Sequence, residues 1–354
     1  MAVYKIFPTR DASLYSAYPN MNTGDDAILE VSNTSPDINP SPRVARAILD
    51  FNQNEINTVI NNIIGSGSAY RSYLKLFVAE ANGINQDTTL ELRILTGSWN
   101  NGSGKYLDTP QSTDGVSWNY RLSSGSGAWN TSGGDLDEVF LSTKQTFDLR
   151  TIKDFTVDAS NIIDAIYYDD GVDYTDSLMV KLTGSQEFVS GSANQPSFKF
   201  FSVDTNTIYP PVLEFRWDDF TTSSEAPSEI TTSDLQVALD ENPGIFYSES
   251  INRFRLNVRP TYPVRTFQTA SLYTTNHSLP VASYYAIKDL DTNEYVVDFD
   301  TTYTKISNDN NGSYFDIYMN GLEPERYYKI LIQTTVDGST MVKDEDYIFK
   351  VVNG

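Results

Sequence analysis

The chain has 354 residues, and 25 Lys and Arg against 47 Asp and Glu leave a formal charge of -22 at pH 7. That excess of acid disfavours contact with nucleic-acid phosphates and with anionic membranes. Cysteine is absent and His277 is the only histidine, which excludes disulfides, thiolate chemistry and any centre built on two histidines.

An apolar share of 39% with 23 Tyr and 18 Phe is enough for a sizeable core, and the length fits two domains. The start, MAVYKIFPTRD, has no basic region ahead of an apolar run, so no secretory signal is expected. No apolar run reaches the roughly 18 residues of a spanning helix. In residues 54–64, apolar side chains at Ile56, Val59, Ile60, Ile63 and Ile64 have helical spacing, closed by Gly65. Residues 74–77 and 90–95 alternate with a period of two and read as strands. The stretch from Gly97 to Gly134 is rich in Gly, Ser and Asn and carries Trp99, Trp118, Tyr120 and Trp129. Those rings either fill a core beneath long loops or form a stacking platform for a glycan, and Trp99, Trp118 and Trp129 are the candidate contacts.

A second helix is expected over residues 158–168, capped by Asp158 and Ser160 and carrying Ile162, Ile163 and Ile166 on one face. Both helices are short enough to cover an open end of a sheet sandwich. The acidic run after it holds Asp169, Asp170, Asp173 and Asp176, a set of hard oxygen ligands that makes it the candidate Ca²⁺ site. It lacks the frame of a helix–loop–helix calcium motif, and the alternative is a solvated loop. Strands follow at 179–182, 197–203 and 212–217. The Ser, Thr and acid-rich residues 220–244 read as a linker. Beyond it, strands are expected at 254–258, 270–273, 283–288, 295–299, 313–319, 328–335 and 347–352. Two-residue hairpins are signalled by Asn311-Gly312 and Asp337-Gly338.

The expected fold is therefore all-β. It is a large jelly-roll-like β-sandwich with two short helices (residues 1–219), the linker (220–244) and a smaller immunoglobulin- or fibronectin-type-III-like sandwich (245–354). Catalytic templates fare poorly. Gly104-Lys105 has Trp99 where a phosphate-binding loop needs glycine, and G-x-S-x-G does not occur. His277 sits in a loop-like stretch. Paired carboxylates for glycoside hydrolysis have no sequence signature, so a polysaccharide-degrading enzyme stays open as an alternative. A non-enzymatic protein without a cofactor is expected.

Several pieces in order resemble a known family: DASLYS from Asp11, NTG from Asn22, AILEV from Ala27, RAILDF from Arg46 and YLKLFV from Tyr73. They continue with TGSW ending at Trp99, Gly102, VSW ending at Trp118, DASNIIDAI from Asp158, FKFF from Phe198 and PVLEF from Pro211. Over residues 3–218 the chain resembles a DNRLRE-type domain, a β-sandwich similar to carbohydrate-binding modules and found in large surface proteins. It departs from that pattern by an insertion at 104–115. With the insertion, the pattern is similar to virion structural proteins of tailed phages, especially contractile-tailed ones from marine hosts. LNVRP from Leu256, SYYAIK from Ser283 and GLEPERYY from Gly321 resemble the same class of protein. The resemblance implies a virion component in the capsid, neck or tail, present in many copies beside other virion proteins and attaching to a host glycan. A soluble carbohydrate-binding protein is the alternative. No ligand residue is carried over from the family.

Overall fold

The structure is a computed structural model and describes residues 2–34, 43–137, 142–148, 153–168, 177–188, 195–240, 242–263 and 276–354. It is all-β. The chain divides into two compact units, one of residues 6–67 and 71–214, the other of residues 215–354 with 1–5 and 68–70. The strand expected at 270–273 and the acidic run holding Asp169, Asp170, Asp173 and Asp176 lie outside the described residues.

The larger unit is built on an eight-stranded sheet. Its order is Thr143–Phe147, Thr88–Leu95, Ser177–Leu182, Val44–Asp50, Ile28–Asn33, Ser197–Phe201 and Val78–Asn82, with Arg10–Tyr15 paired antiparallel to Val44–Asp50. In a second sheet, Tyr70–Leu76 pairs antiparallel with Phe155–Asp158. Strand Tyr70–Leu76 alternates cleanly, with Ser72, Leu74 and Leu76 inward, as a strand with one wet face should. The sheets meet through rings such as Phe155 and Phe200, whose centroids are 6.4 Å apart.

Strand Ser177–Leu182 is buried along its whole length, so both faces of the large sheet are covered at its centre. Leu178, Val180 and Leu182 fill one face, while Met179 and Lys181 point to the other. On that second face Ala12, Leu14, Ile48, Leu95 and Met179 pack with Trp99, Val116, Trp118 and Trp129. The Gly/Ser/Asn-rich excursion therefore folds back over the sheet.

Both short helices form. Gln53–Thr58 is α-helical, capped by the Asn52 side chain, and continues as a π-helical turn Val59–Gly65 that buries Val59, Ile60 and Ile64. Helix Ser160–Tyr168 starts where the Asp158 carboxylate accepts from the Ser160 amide at 2.9 Å.

The smaller unit has a four-stranded sheet (Leu235–Leu239, Ile251–Pro260, Gly312–Tyr318, Ser307–Asp309) and a five-stranded sheet (Ile245–Tyr247, Ser339–Val352, Tyr327–Val336, Ser283–Asp289, Tyr295–Val297). Tyr285 stacks on Phe315 between them, with centroids 4.4 Å apart. Residues 220–244 differ from a free linker. Leu235–Leu239 is a strand paired antiparallel to Ile251–Pro260, and Ile230, Leu235 and Val237 enter the core. Three alternating apolar residues are enough to recruit a strand despite the polar stretch before them. Asp337 and Gly338 take φ of 49° and 74° and form the expected two-residue turn. The other hairpin is shifted by one residue. Asp309 pairs with Gly312, so Asn310 and Asn311 make the loop and Gly312 (φ 117°) opens the next strand.

A tyrosine-lined groove as the candidate functional site

The three tryptophans proposed as glycan contacts are core residues. Trp99 is 1% exposed, its indole donates to Ser177 Oγ at 2.6 Å, and the Arg10 guanidinium lies 4.4 Å from its ring. Trp129 donates to the Ser117 carbonyl at 3.0 Å, and Arg46 covers Trp118 at 4.9 Å. A stacking platform needs an open ring face, and these rings are buried in the core, with a cation over Trp99 and over Trp118. The large rings fill the volume between sheet and excursion.

One buried amide ties several points of that excursion together. Asn22 is fully buried. Its Nδ2 donates to the carbonyls of Asn101 (2.6 Å) and Val116 (2.9 Å), while its Oδ1 accepts from the amides of Gly104 (2.8 Å) and Gly24 (3.3 Å). Gly102 sits here with φ 78°, and a Cβ on it would come within 2.4 Å of Asn22 Oδ1.

Beside the clasp, residues 104–115 carry Tyr106 outward. The Asp26 carboxylate accepts from the Tyr106 amide at 2.9 Å, and the Asp108 carboxylate accepts from the Lys105 amide at 3.0 Å. Tyr106 thus stands over Tyr15, at the end of strand Arg10–Tyr15, with ring centroids 4.8 Å apart. Tyr18, on the following turn, meets Tyr106 edge to face at 6.1 Å. Strand Ile28–Asn33 supplies Glu30 and Ser32, and Thr34, Arg43 and Val44 complete a groove of about 440 Å³. The Tyr15 hydroxyl donates to Glu30 Oε2 at 3.3 Å and Ser197 Oγ donates to Oε1 at 3.3 Å, which fixes the carboxylate at the groove wall. Burial, and then the Glu30 charge, push the Tyr15 phenol well above its usual range. Tyr106 is raised by partial burial and by Tyr18. The Tyr15 and Tyr106 phenols therefore stay protonated at neutral pH. No local signal marks the groove in the sequence, because its residues come from positions 15–44 and from the insertion.

Near the start of strand Arg10–Tyr15, Asp11 is 1% exposed. Its Oδ2 accepts from the Val203 amide at 2.8 Å, and its Oδ1 has no hydrogen-bond partner. Burial raises its pKa to about 8 against that hydrogen bond, with help from Asp204 and Asp26. On the tryptophan-covered face of the same sheet, Arg46 holds Glu187 by two hydrogen bonds (2.6 and 3.0 Å). Lys181 joins Glu187 (2.9 Å) to Glu91 (3.3 Å). All four are buried, with each charge answered.

Among the described residues no three His, Asp or Glu side chains are grouped to hold a metal ion. His277 is partly exposed, its Nδ1 within 3.1 Å of the Ser228 carbonyl.

No protein-family model matches the chain, and no curated protein matches it. Solved structures that align with it include Parabacteroides merdae β-glucuronidase with glycerol in its active site (8% identity, TM-score 0.22, 99% of this chain and 36% of that one). A putative β-galactosidase from Bacteroides fragilis aligns at 9% identity and TM-score 0.20, over 97% of this chain and 41% of that one. The chain spans about two fifths of their length, and a likeness at this level carries neither fold nor activity across.

Proposed function

We propose that the chain is a non-enzymatic structural protein of a tailed-phage particle, displayed in many copies and presenting the larger sandwich for contact. The observation that carries this reading is what the motif residues do. Asn22, Gly102, Gly104, Trp99 and Trp118, on which the resemblance rests, are engaged in locking the excursion onto the sheet. Their role is to hold a rigid surface. Repetition on a symmetric particle lets weak contacts add up. The test is mass spectrometry of purified particles: the chain is expected among the stoichiometric components, and its absence overturns the reading.

A second reading, favoured by the groove of Tyr15, Tyr18 and Tyr106, is that the larger unit is a ligand-binding module in its own right. It is compatible with the first, since an attachment surface on a particle needs such a site. Binding of host-surface extract that is lost on changing Tyr106 to Ala would support it. Binding that survives the change would place the contact elsewhere.

A further inference from the structure

We propose that the groove binds a quaternary ammonium group, seated in the corner between Tyr18 and Tyr106 with Glu30 as its counter-charge. This rests on the reading of the larger unit as a binding module and names the ligand class of that site. Ring geometry, charge and guest shape each lead to it.

The two open rings make a corner. Tyr18 and Tyr106 are 38% and 43% exposed, and their planes meet at 83° with centroids 6.1 Å apart. A flat guest stacked on one of them meets the other edge-on, whereas a round guest touches both. Tyr15, buried and tilted 44° to Tyr106 at 4.8 Å, packs against that ring and keeps it in place. The face of each ring carries partial negative charge, so a cation in the corner is attracted from two sides.

Glu30 supplies the opposite charge. The Tyr15 hydroxyl and Ser197 Oγ, both neutral, donate to its two oxygens at 3.3 Å, and among the described residues it forms no ion pair. Lys199 faces it across the strand pair, but the Lys199 ammonium is held by Glu80 at 2.7 Å. The Glu30 charge also reaches the corner, where it adds to burial and Tyr18 in raising the Tyr106 phenol. A half-buried carboxylate with only neutral partners, set beside open aromatic faces, favours a cationic guest. Asp26 and the overall charge of -22 act in the same direction. Arg43 lines the groove as well and has contacts of its own; its charge opposes a cation.

Hydration and shape select the kind of cation. A primary ammonium is strongly hydrated and keeps its water in preference to a ring face. A guanidinium is planar and stacks on one ring at a time. A trimethylated ammonium is round and has no N–H to donate, so aromatic faces and a nearby carboxylate are the partners left to it. The groove, at about 440 Å³, is larger than such a group and continues along Ser32 and Thr34, which leaves room for the molecule that carries it.

The experiment is a calorimetric and NMR titration of the full chain with choline chloride. Ethanolamine, methylguanidinium and dimethylbutanol, the uncharged carbon analogue of choline, are the comparison probes. Choline is expected to bind with a Kd of roughly 1 mM, and each comparison probe at least about fivefold more weakly. Tyr106→Ala, Tyr18→Ala and Glu30→Gln are each expected to lose roughly tenfold, while Tyr106→Trp retains binding. Arg43→Ala is expected to tighten binding, because a like charge is removed. Tyr327→Ala, in the smaller unit, is expected to bind as the parent does. Because Tyr106 is exposed, an unchanged melting temperature for Tyr106→Ala separates loss of the corner from loss of the fold. Dimethylbutanol binding as well as choline, tighter binding of ethanolamine or methylguanidinium, choline binding indifferent to Tyr106 or Glu30, or no choline binding at tens of millimolar each overturns the assignment. If choline fails while host-surface extract still binds through Tyr106, the ammonium assignment falls and the binding-module reading stands. If neither binds, both fall.

Discussion

Asn22 and Asp11 are both buried polar residues near the start of the chain, and they respond to burial in opposite ways. Asn22 makes four hydrogen bonds and leaves its amide satisfied. Asn22→Ala strands two carbonyls and two amides in a dry place and is expected to cost about 2–4 kcal/mol by denaturant unfolding. A cost below about 0.5 kcal/mol would mean that water replaces the clasp. Asp11 has one oxygen without a partner and avoids the cost by holding a proton. Its folded value of about 8 lies above the 3.8 of the free side chain, so in that window the folded state binds a proton the unfolded state has released. The stability it contributes is complete below the lower value and is lost as pH rises through the higher one, at up to about 1.4 kcal/mol per pH unit. Asp11→Asn removes this dependence. Relative to the parent, the variant is expected to gain melting temperature steadily from about pH 4 to about pH 8, and a constant difference would contradict the raised value.

At the scale of elements, the excursion over residues 97–136 is the part the sequence left ambiguous. Tryptophans among Gly, Ser and Asn are compatible with a platform or a core, because composition does not say which side of the rings meets the sheet. The structure turns them inward, and Trp217 is buried as well. Native emission is therefore expected to be blue-shifted and poorly quenched by acrylamide; ready quenching would restore the platform. The strands were legible wherever apolar residues alternate, as in Tyr70–Leu76 and Val212–Trp217, and so were both helices, whose isoleucines keep helical spacing. Leu235–Leu239 escaped notice because a polar, acidic run leads into it, yet Leu235 is 2% exposed. Leu235→Ala is expected to destabilise the smaller unit by about 2–4 kcal/mol, where a free linker would show none. The buried charge cluster behaves as one element too. Arg46→Ala leaves Glu187 buried with only Lys181 against it, and a loss of about 3–5 kcal/mol is expected. An unchanged unfolding midpoint would show the cluster to be wet.

For the molecule as a whole, a net charge of -22 on two β units implies self-repulsion that salt relieves. The all-β class was readable from alternation and turn residues. The groove was not, because Tyr15, Glu30, Arg43 and Tyr106 are brought together only by strand order and by an insertion tied to Asp26 and Asn22. The same scaffold that buries the tryptophans is what projects Tyr106. The measurement that bears most directly on a display role is electron cryomicroscopy of purified particles at a resolution that traces strands. Density for both β units, repeated in copies related by the particle's symmetry, is the predicted result. Particles that lack them, with the chain recovered only as free protein from the host lysate, would contradict it.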